Sequence, residues 1–387
     1  MSLNLPTAFT PLSSREMLWI LASYLTGCFT AGYYWTRWRT GQDIRQLGSR
    51  NVGARNVGRN LGPGGFTVTL LLDVAKGFLA VFLALPAFAQ QSRQDHTDTS
   101  LWQDRGNIAE LDLVSGSGGK DHEPGTHFKF IKESTAGTSP KFDVEDENGT
   151  KWKVKLGEEV KPETAATRLV WAAGYYVDDD YYRPKIQVEG LKHLNRGQEF
   201  VSGDVVTNVR LERVRKGDDP EGWSWYENSF SGTRELNGLK VMMALINMWD
   251  LKAVNNSSMD GEYKVADLGA TFGNTGNSFT RSKGMMKDYA NTKFILKVTP
   301  EYVDFVMHSR PFILTAVTNF RNYRMRARMQ TIVKRIPIAD ARWIGSQLGK
   351  LSTRQIQDAF RTSGFSPADV DGYTKVVMNR IAELNRL

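Results

Sequence analysis

Apolar side chains crowd the first ninety or so positions in two long runs, then give way to short alternating stretches and finally to helical spacing. Residues 17–35 are almost wholly apolar, close to the roughly 20 such residues that cross a bilayer as a helix. Tyr33, Tyr34 and Trp35 at its end suit the membrane interface. A second run covers residues 66–89 and is interrupted by Asp73 and Lys76, charges that are costly in lipid unless paired or turned towards protein. Residues 1–90 are therefore expected to form a membrane segment of two transmembrane helices in contact with lipid. The loop between them carries Arg37, Arg39, Arg45, Arg50, Arg55 and Arg59 against the acid Asp43, and the positive-inside bias places it in the cytoplasm. The second run also reads as a secretory signal, with a basic start at Lys76 and a cleavage point after Ala89. Either way, the residues beyond it are expected outside the cytoplasm of a bacterial inner membrane.

Past the apolar part, residues 91–126 are polar and rich in Gly, Asp and Ser, as in a linker. Residues 127–132 alternate as a strand, 134–139 form a small-residue loop, and Lys141 opens a second strand. Asn148-Gly149 makes a tight turn into a third strand over 151–156. On that strand Trp152, Val154 and Leu156 share one face, and Lys151, Lys153 and Lys155 the other. A helix starts near Pro162 and ends at Gly174, carrying Glu163 in its first turn. Residues 127–190 are thus expected as a small β-rich lobe. From 191 to 387 the pattern is mostly helical, including an apolar-periodic stretch over 234–249 and helix starts at Ser352 and Ser366. The fold class is α+β.

Three oxygen-bearing side chains follow in a telling order: Asp250, Asn255 and Asp267, the last in Asp-Leu-Gly. A carboxylate at the end of a helix, an amide five residues on and a carboxylate after a short hairpin can orient a hydroxyl and hold magnesium, which prefers hard oxygen ligands. Lys155 can then meet nucleotide phosphates, with Glu163 positioning it. It is preferred to Lys153 by its distance from the helix. On these residues the chain from about Phe128 onward resembles an atypical protein kinase of the HipA-like or phosphatidylinositol-kinase-like kind. The resemblance implies a two-lobed phosphotransferase using ATP and magnesium, with Asp250, Lys155 and Glu163 catalytic and Asn255 and Asp267 on the metal. The phosphate acceptor is unknown. Met248-Trp249 stands where His-Arg is usual, Leu268 replaces Phe, and no Ala-Pro-Glu follows.

The arginine-rich loop has its own wording. In residues 48–62 small residues permit close backbone approach, while Ser, Asn and Arg donate to phosphate oxygens, an anion site in physical terms. With the following residues 70–77 it resembles the first motif of the acyl-phosphate-dependent glycerol-3-phosphate acyltransferases, the PlsY family. That resemblance implies a membrane enzyme of phospholipid biosynthesis, with Ser49, Asn51, Gly53, Asn56 and Arg59 at the substrate phosphate and Arg50 and Arg55 variant positions. The family's later Gly-Gly-Lys-Gly motif and further spans do not follow.

A net charge of +8 over 387 residues comes partly from this loop and partly from Arg321, Arg324, Arg326, Arg328, Lys334 and Arg335, expected as a solvated helix face. Asp178, Asp179 and Asp180 are expected as a solvated turn. Trp223, Trp225 and Tyr226 are expected to pack between elements. Cys28 is the only cysteine, which excludes an internal disulfide or a cysteine-rich zinc site. The five histidines lack ligand spacing, no nucleophile elbow is present, and no nucleic-acid partner is expected. Three functions are consistent with these residues: a membrane-tethered or exported kinase-like phosphotransferase, a glycerol-3-phosphate acyltransferase, and a non-catalytic kinase-shaped binding protein.

Overall fold

The structure, a computed structural model, describes residues 14–91, 100–135, 137–215, 222–259, 261–277, 279–308 and 313–387. The chain divides into two compact units, Met1–Thr97 and Asp98–Leu387.

The first unit contains helices α1 (Ser14–Cys28), α2 (Ala31–Thr40) and α3 (Ala54–Gln91). Neither expected span is shown: among the described residues no helix is long and apolar enough to cross a membrane. The first apolar run is not one helix, because it breaks after Cys28 and leaves α1 with 15 residues, about 22 Å against a hydrocarbon layer of about 30 Å. The second run lies in the part of α3 that follows a kink at Gly62 (φ 75°) and carries the Asp73–Lys76 pair at 3.3 Å. Lys76 also donates to the carbonyl of Phe29 at 2.8 Å, so the interrupting charge closes the end of α1. Ser23 Oγ donates to Ala80 O at 2.7 Å and joins α1 to α3. Leu18, Leu25, Leu71 and Phe78 are more than half exposed and leave an apolar surface on α1 and α3. Ala89, expected as a cleavage point, lies inside α3.

In the second unit the alternating stretches form β1 (His127–Ser134), β2 (Lys141–Asp146), β3 (Lys151–Leu156), β4 (Asp180–Glu189), β5 (Val201–Ser202) and β6 (Val205–Arg213). Their order is β3-β2-β1-β4-β6-β5, and β3 also pairs with β6, so five strands close into a ring. Only β1 and β4 run parallel among these pairings. Gly149, at φ 76°, supplies the left-handed backbone that the β2–β3 turn needs. Phe142, Val144, Trp152, Val154, Val188 and Leu211 fill the ring, and Trp152 Nε1 finds its acceptor on Asp146 at 2.8 Å. Helix α4 (Val160–Ala172) packs on the outside of the ring. The sheet includes β6, so it runs well beyond residue 190, where the small lobe was expected to end.

A second core gathers α5 (Arg234–Leu245), the hairpin β7 (Asn256–Met259) and β8 (Glu262–Val265), α6 (Met286–Asn291), β9 (Ile295–Val298), β10 (Tyr302–Phe305), α7 (Thr315–Thr318), α8 (Phe320–Met329), β11 (Ile336–Pro337), α9 (Ile338–Leu348), α10 (Thr353–Arg361) and α11 (Pro367–Asn385). Trp223 and Trp225 are buried in it. The expected linker is, from residue 100 on, part of this core. Leu101, Ile108 and Leu113 are buried, Trp102 Nε1 donates to Ala173 O at 2.8 Å, and Gln355 Nε2 holds the carbonyls of Ile108 and Leu111. These few apolar side chains, scattered among polar ones, were too sparse to show a period.

Phe272 is fully buried against Tyr289, Phe360 and Tyr373, with ring centroids 5.0–5.6 Å away. Phe272→Ala is expected to destabilise the chain by about 3–5 kcal/mol, measured by denaturant unfolding of the second unit's tryptophan signal. A loss below about 1 kcal/mol would mean that this aromatic cluster is not the centre of the core.

Candidate functional site

The alternation of β3 turns Trp152, Val154 and Leu156 inwards and Lys153 and Lys155 outwards. Lys155 is nevertheless buried, because α4 and the Asp267 segment close over it. Its Nζ lies 2.6 Å from Glu163 Oε2, 2.7 Å from Asp267 Oδ1 and 2.9 Å from Glu159 Oε2. An ammonium has three protons, and three carboxylates take them. Burial favours the neutral amine, but Glu163, Asp267 and Glu159 outweigh it and hold the Lys155 pKa above its ordinary value. Burial pushes the Glu163 carboxyl up against the pull of Arg210 and Lys155. At Asp267 burial acts the same way, but Lys155 outweighs it and brings the pKa below the usual carboxylate value.

Behind Lys155 stands Arg210, its direct neighbour in the β3–β6 register. The guanidinium reaches Glu163 at 3.0 Å, Asp180 at 3.2 Å and Glu212 at 2.6 Å. Arg168 on α4 meets the other oxygen of Asp180 at 3.3 Å, and burial pushes Asp180 up to about 7. The expectation of a solvated turn at Asp178–Asp180 therefore fails. Asp179 and Asp180 are buried, and Asp179 pairs with Arg215 at 3.0 Å. Antiparallel pairing of β4 with β6 puts Asp180 opposite Glu212 and Tyr182 opposite Arg210, so these acids meet arginines some thirty residues away.

Asp250 is placed by the turn that ends α5. Asn247 adopts φ 55°, and its side-chain amide donates to Gly273 O at 2.8 Å. Backbone bonds from Phe272 N to Ile246 O and from Trp249 N to Ala270 O tie this turn to the segment after Asp267. Asn255 Nδ2 donates to the carbonyl of Asp250 at 3.0 Å, and β7–β8 carry the chain from Asn255 round to Asp267. Asp267 itself takes φ 52°, an uncommon conformation for a non-glycine residue. Gly269 has no alternative: a Cβ there would lie 2.6 Å from Glu159 Cβ.

The Asp250 carboxylate pairs with Lys252 at 2.8 Å and Arg326 at 3.2 Å. Arg326 was expected on a solvated helix face, but it is buried, because α8 turns this one arginine towards Asp250 while Arg321 and Arg324 stay out of the core.

Two adjoining cavities gather the side chains singled out in the sequence. A cleft of about 350 Å³ is lined by Lys155, Glu163, Arg210, Asn255 and Asp267. A smaller one of about 200 Å³ is lined by Asp250, Asn255, Asp267, Glu159 and the Gly137–Ser139 loop. Ser139 Oγ fastens that loop to Glu159 at 2.7 Å, and Lys283 pairs with the other oxygen of Glu159 at the same distance. Carboxylate oxygens of Glu159, Glu163 and Asp267 lie within 4.8 Å of one another, a spacing that suits a metal, yet the Lys155 ammonium bonds all three. Asp267 is the reachable one, with 42% of its side chain exposed against 2% for Glu163. Sequence reasoning missed Glu159, Arg210, Glu212 and Lys283. For Glu159 a signal was present, since it lies four residues after Lys155.

In the first unit Ser49, Arg50, Asn51, Gly53, Asn56 and Arg59 lie in and after the loop between α2 and α3. Asn56 is buried and organises the loop from within: its Oδ1 accepts from Ser49 N at 2.9 Å, and its Nδ2 donates to the carbonyls of Leu47 and Asn51. Asn51 Oδ1 accepts from Gly53 N at 3.0 Å. Arg50 sits at φ 60°. Ser49, Arg50, Asn51 and Arg59 remain exposed. Asn56 thus shapes the loop and leaves these side chains at its surface.

The matches to known proteins in sequence fall mainly in the first unit. The model of the family "Glycerol-3-phosphate acyltransferase" matches residues 17–103. Glycerol-3-phosphate acyltransferase 1 of Bacillus cereus is 47% identical over 73 residues, 19% of this chain and 40% of that protein. The glycerol-3-phosphate acyltransferase of a Synechococcus species is 47% identical over 78 residues, 20% of this chain and 36% of its own. The chain thus spans about two-fifths of the length of the curated relatives it matches. Among solved structures, the Helicobacter pylori proinflammatory kinase CtkA aligns with 68% of this chain and 98% of its own, at TM-score 0.39 and 10% identity.

Glu212 offers a test of the buried network by pH. Burial raises its pKa, but Arg210 and Lys153 outweigh this and hold it at about 2. Its stabilising contribution is present above the ordinary glutamate value and lost as pH falls through about 2. In Glu212→Gln the acid limb of stability against pH is expected to flatten between about 4.5 and 2, followed by urea unfolding. An unchanged acid limb would mean that Glu212 is not ion-paired in the folded state.

Proposed function

We propose that the second unit is a phosphotransferase using ATP and magnesium. The observation that carries this reading is the Lys155 ammonium bonded to Glu163 and Asp267 in a cleft that Asn255 also lines. Asp267 and Asn255 offer hard oxygen donors, as magnesium prefers, and Asp267 has the exposure to receive it. When bound, the ion neutralises phosphate charge during transfer. Lys155 exchanges its bond to Asp267 for a nucleotide phosphate while Glu163, held from behind by Arg210, keeps it in place. The Gly137–Ser139 loop lies over the smaller cavity and covers the transferred group. Asp250, at the floor of that cavity, takes the proton of the acceptor hydroxyl as its oxygen bonds to phosphorus and the bond to ADP breaks.

Asp267→Ala is expected to abolish magnesium-dependent ATP binding by the full chain in calorimetry. Asp250→Asn retains that binding and lowers transfer by about 10²–10⁴. ATP binding that survives Asp267→Ala, or full transfer by Asp250→Asn, contradicts these roles.

For the first unit we propose a membrane-associated, phosphate-recognising segment related to glycerol-3-phosphate acyltransferases. The match over residues 17–103 supports it, together with the exposed apolar side chains of α1 and α3 and the exposed Ser49, Asn51 and Arg59 on a loop ordered by Asn56. If this segment turns over substrate, membranes carrying the chain transfer an acyl group from acyl phosphate to glycerol 3-phosphate, and Ser49→Ala lowers the rate by about 100-fold. Equal rates in membranes with and without the chain would leave the segment a recognition element only.

A further inference from the structure

Among the described residues, Lys252, Arg281 and Arg326 gather beside the Asp250 carboxylate. Lys252 and Arg326 both pair with the Asp250 carboxylate. Arg281 stands next to them with its guanidinium 4.3 Å from the Trp249 ring centroid. Its Nη1 is shielded from solvent and has no hydrogen-bond partner among the described residues. Arg326 and Lys283 also approach the Trp249 ring, at 5.6 and 5.8 Å. Lys283 is balanced by Glu159 and Glu158, but Arg281 makes no ion pair among the described residues. A shielded donor without an acceptor costs free energy, and two guanidiniums near one carboxylate repel each other. Burial and the neighbouring Arg326 both push the Arg281 pKa below its ordinary value. This arrangement is unfavourable as it stands and becomes favourable when an anion arrives.

Resting on the phosphotransferase reading, we infer that the acceptor hydroxyl is flanked by an anionic group, and that Arg281, stacked on Trp249, binds that group beside Asp250. The guanidinium edge presents parallel N–H donors that match a carboxylate or a phosphate. The indole fixes the plane of that fork and leaves Arg281 little orientational freedom to lose. The anion also competes for Arg326, which loosens its hold on Asp250 and leaves that carboxylate able to accept the hydroxyl proton. Arg281 is in this account a specificity residue for the acceptor, and the nucleotide cleft around Lys155 does not include it.

Three fluorescent peptides test the assignment, each with a central serine flanked by glutamate, by phosphoserine or by glutamine. Their binding to the full chain in detergent micelles is read by anisotropy. The glutamate or the phosphoserine peptide is expected to bind at least about tenfold more tightly than the glutamine peptide. Which of the two is preferred identifies the anion as carboxylate or phosphate. The preference disappears in Arg281→Ala and is partly kept in Arg281→Lys, with thermal unfolding confirming that both variants are folded. Equal affinity for all three peptides, no binding of any, or a preference that survives Arg281→Ala overturns the inference. Magnesium-dependent ATP binding, measured on the same preparation, separates the two levels: its absence sinks the phosphotransferase reading, whereas its presence without an acidic preference sinks the acceptor assignment alone.

Discussion

A buried ammonium shared by three carboxylates is the constraint around which the second unit is organised. Leaving Lys155 unpaired in the interior would cost several kcal/mol, so the chain must bring Glu163 from α4, Glu159 from the turn before it and Asp267 from beyond β8 to within 3 Å of one nitrogen. Each carboxylate then needs support of its own. Arg210 takes the second oxygen of Glu163, Lys283 and Ser139 take Glu159, and the left-handed backbone at Asp267 aims its side chain back at β3. The closed ring of strands is what makes this possible, because pairing of β3 with β6 puts Lys155 and Arg210 side by side.

The same constraint joins the two cores. Glu159 touches the loop above the cleft through Ser139, the lysine on β3, and the segment after Asp267 through both Lys283 and the close approach to Gly269. Removing one member of such a network leaves an uncompensated buried charge, which costs more than the pair contributes. Asp267 differs from the other two acids because it faces the cleft. In the proposed function it is the member that exchanges Lys155 for another cation.

Local patterns made part of this legible in advance. Lys155 and Glu163 lie eight residues apart on a strand and the helix that follows it, and Asp250, Asn255 and Asp267 fall within eighteen residues. Such spacing survives in a linear reading, and the structure places these five side chains around two adjoining cavities. Arg210 and Lys283 were hidden because Arg210 meets Asp180 and Glu163 30 and 47 positions away and Lys283 meets Glu159 124 positions away, and Arg326, expected on a solvated face, meets Asp250 76 positions away. Asp180 misled for the same reason. The apolar runs at the start were legible as apolar, whereas neither the break after Cys28 nor the bond from Lys76 to Phe29 that closes α1 is visible in hydropathy.

The most direct test of the account is calorimetric titration of the intact chain with ATP, with and without magnesium, in wild type and Lys155→Met. Binding that requires magnesium and weakens by at least about tenfold in Lys155→Met, as loss of a charge-assisted bond implies, is the expected result. Absence of binding in the wild type, or equal affinity in the variant, would contradict the central claim that this lysine and its carboxylates form a nucleotide site.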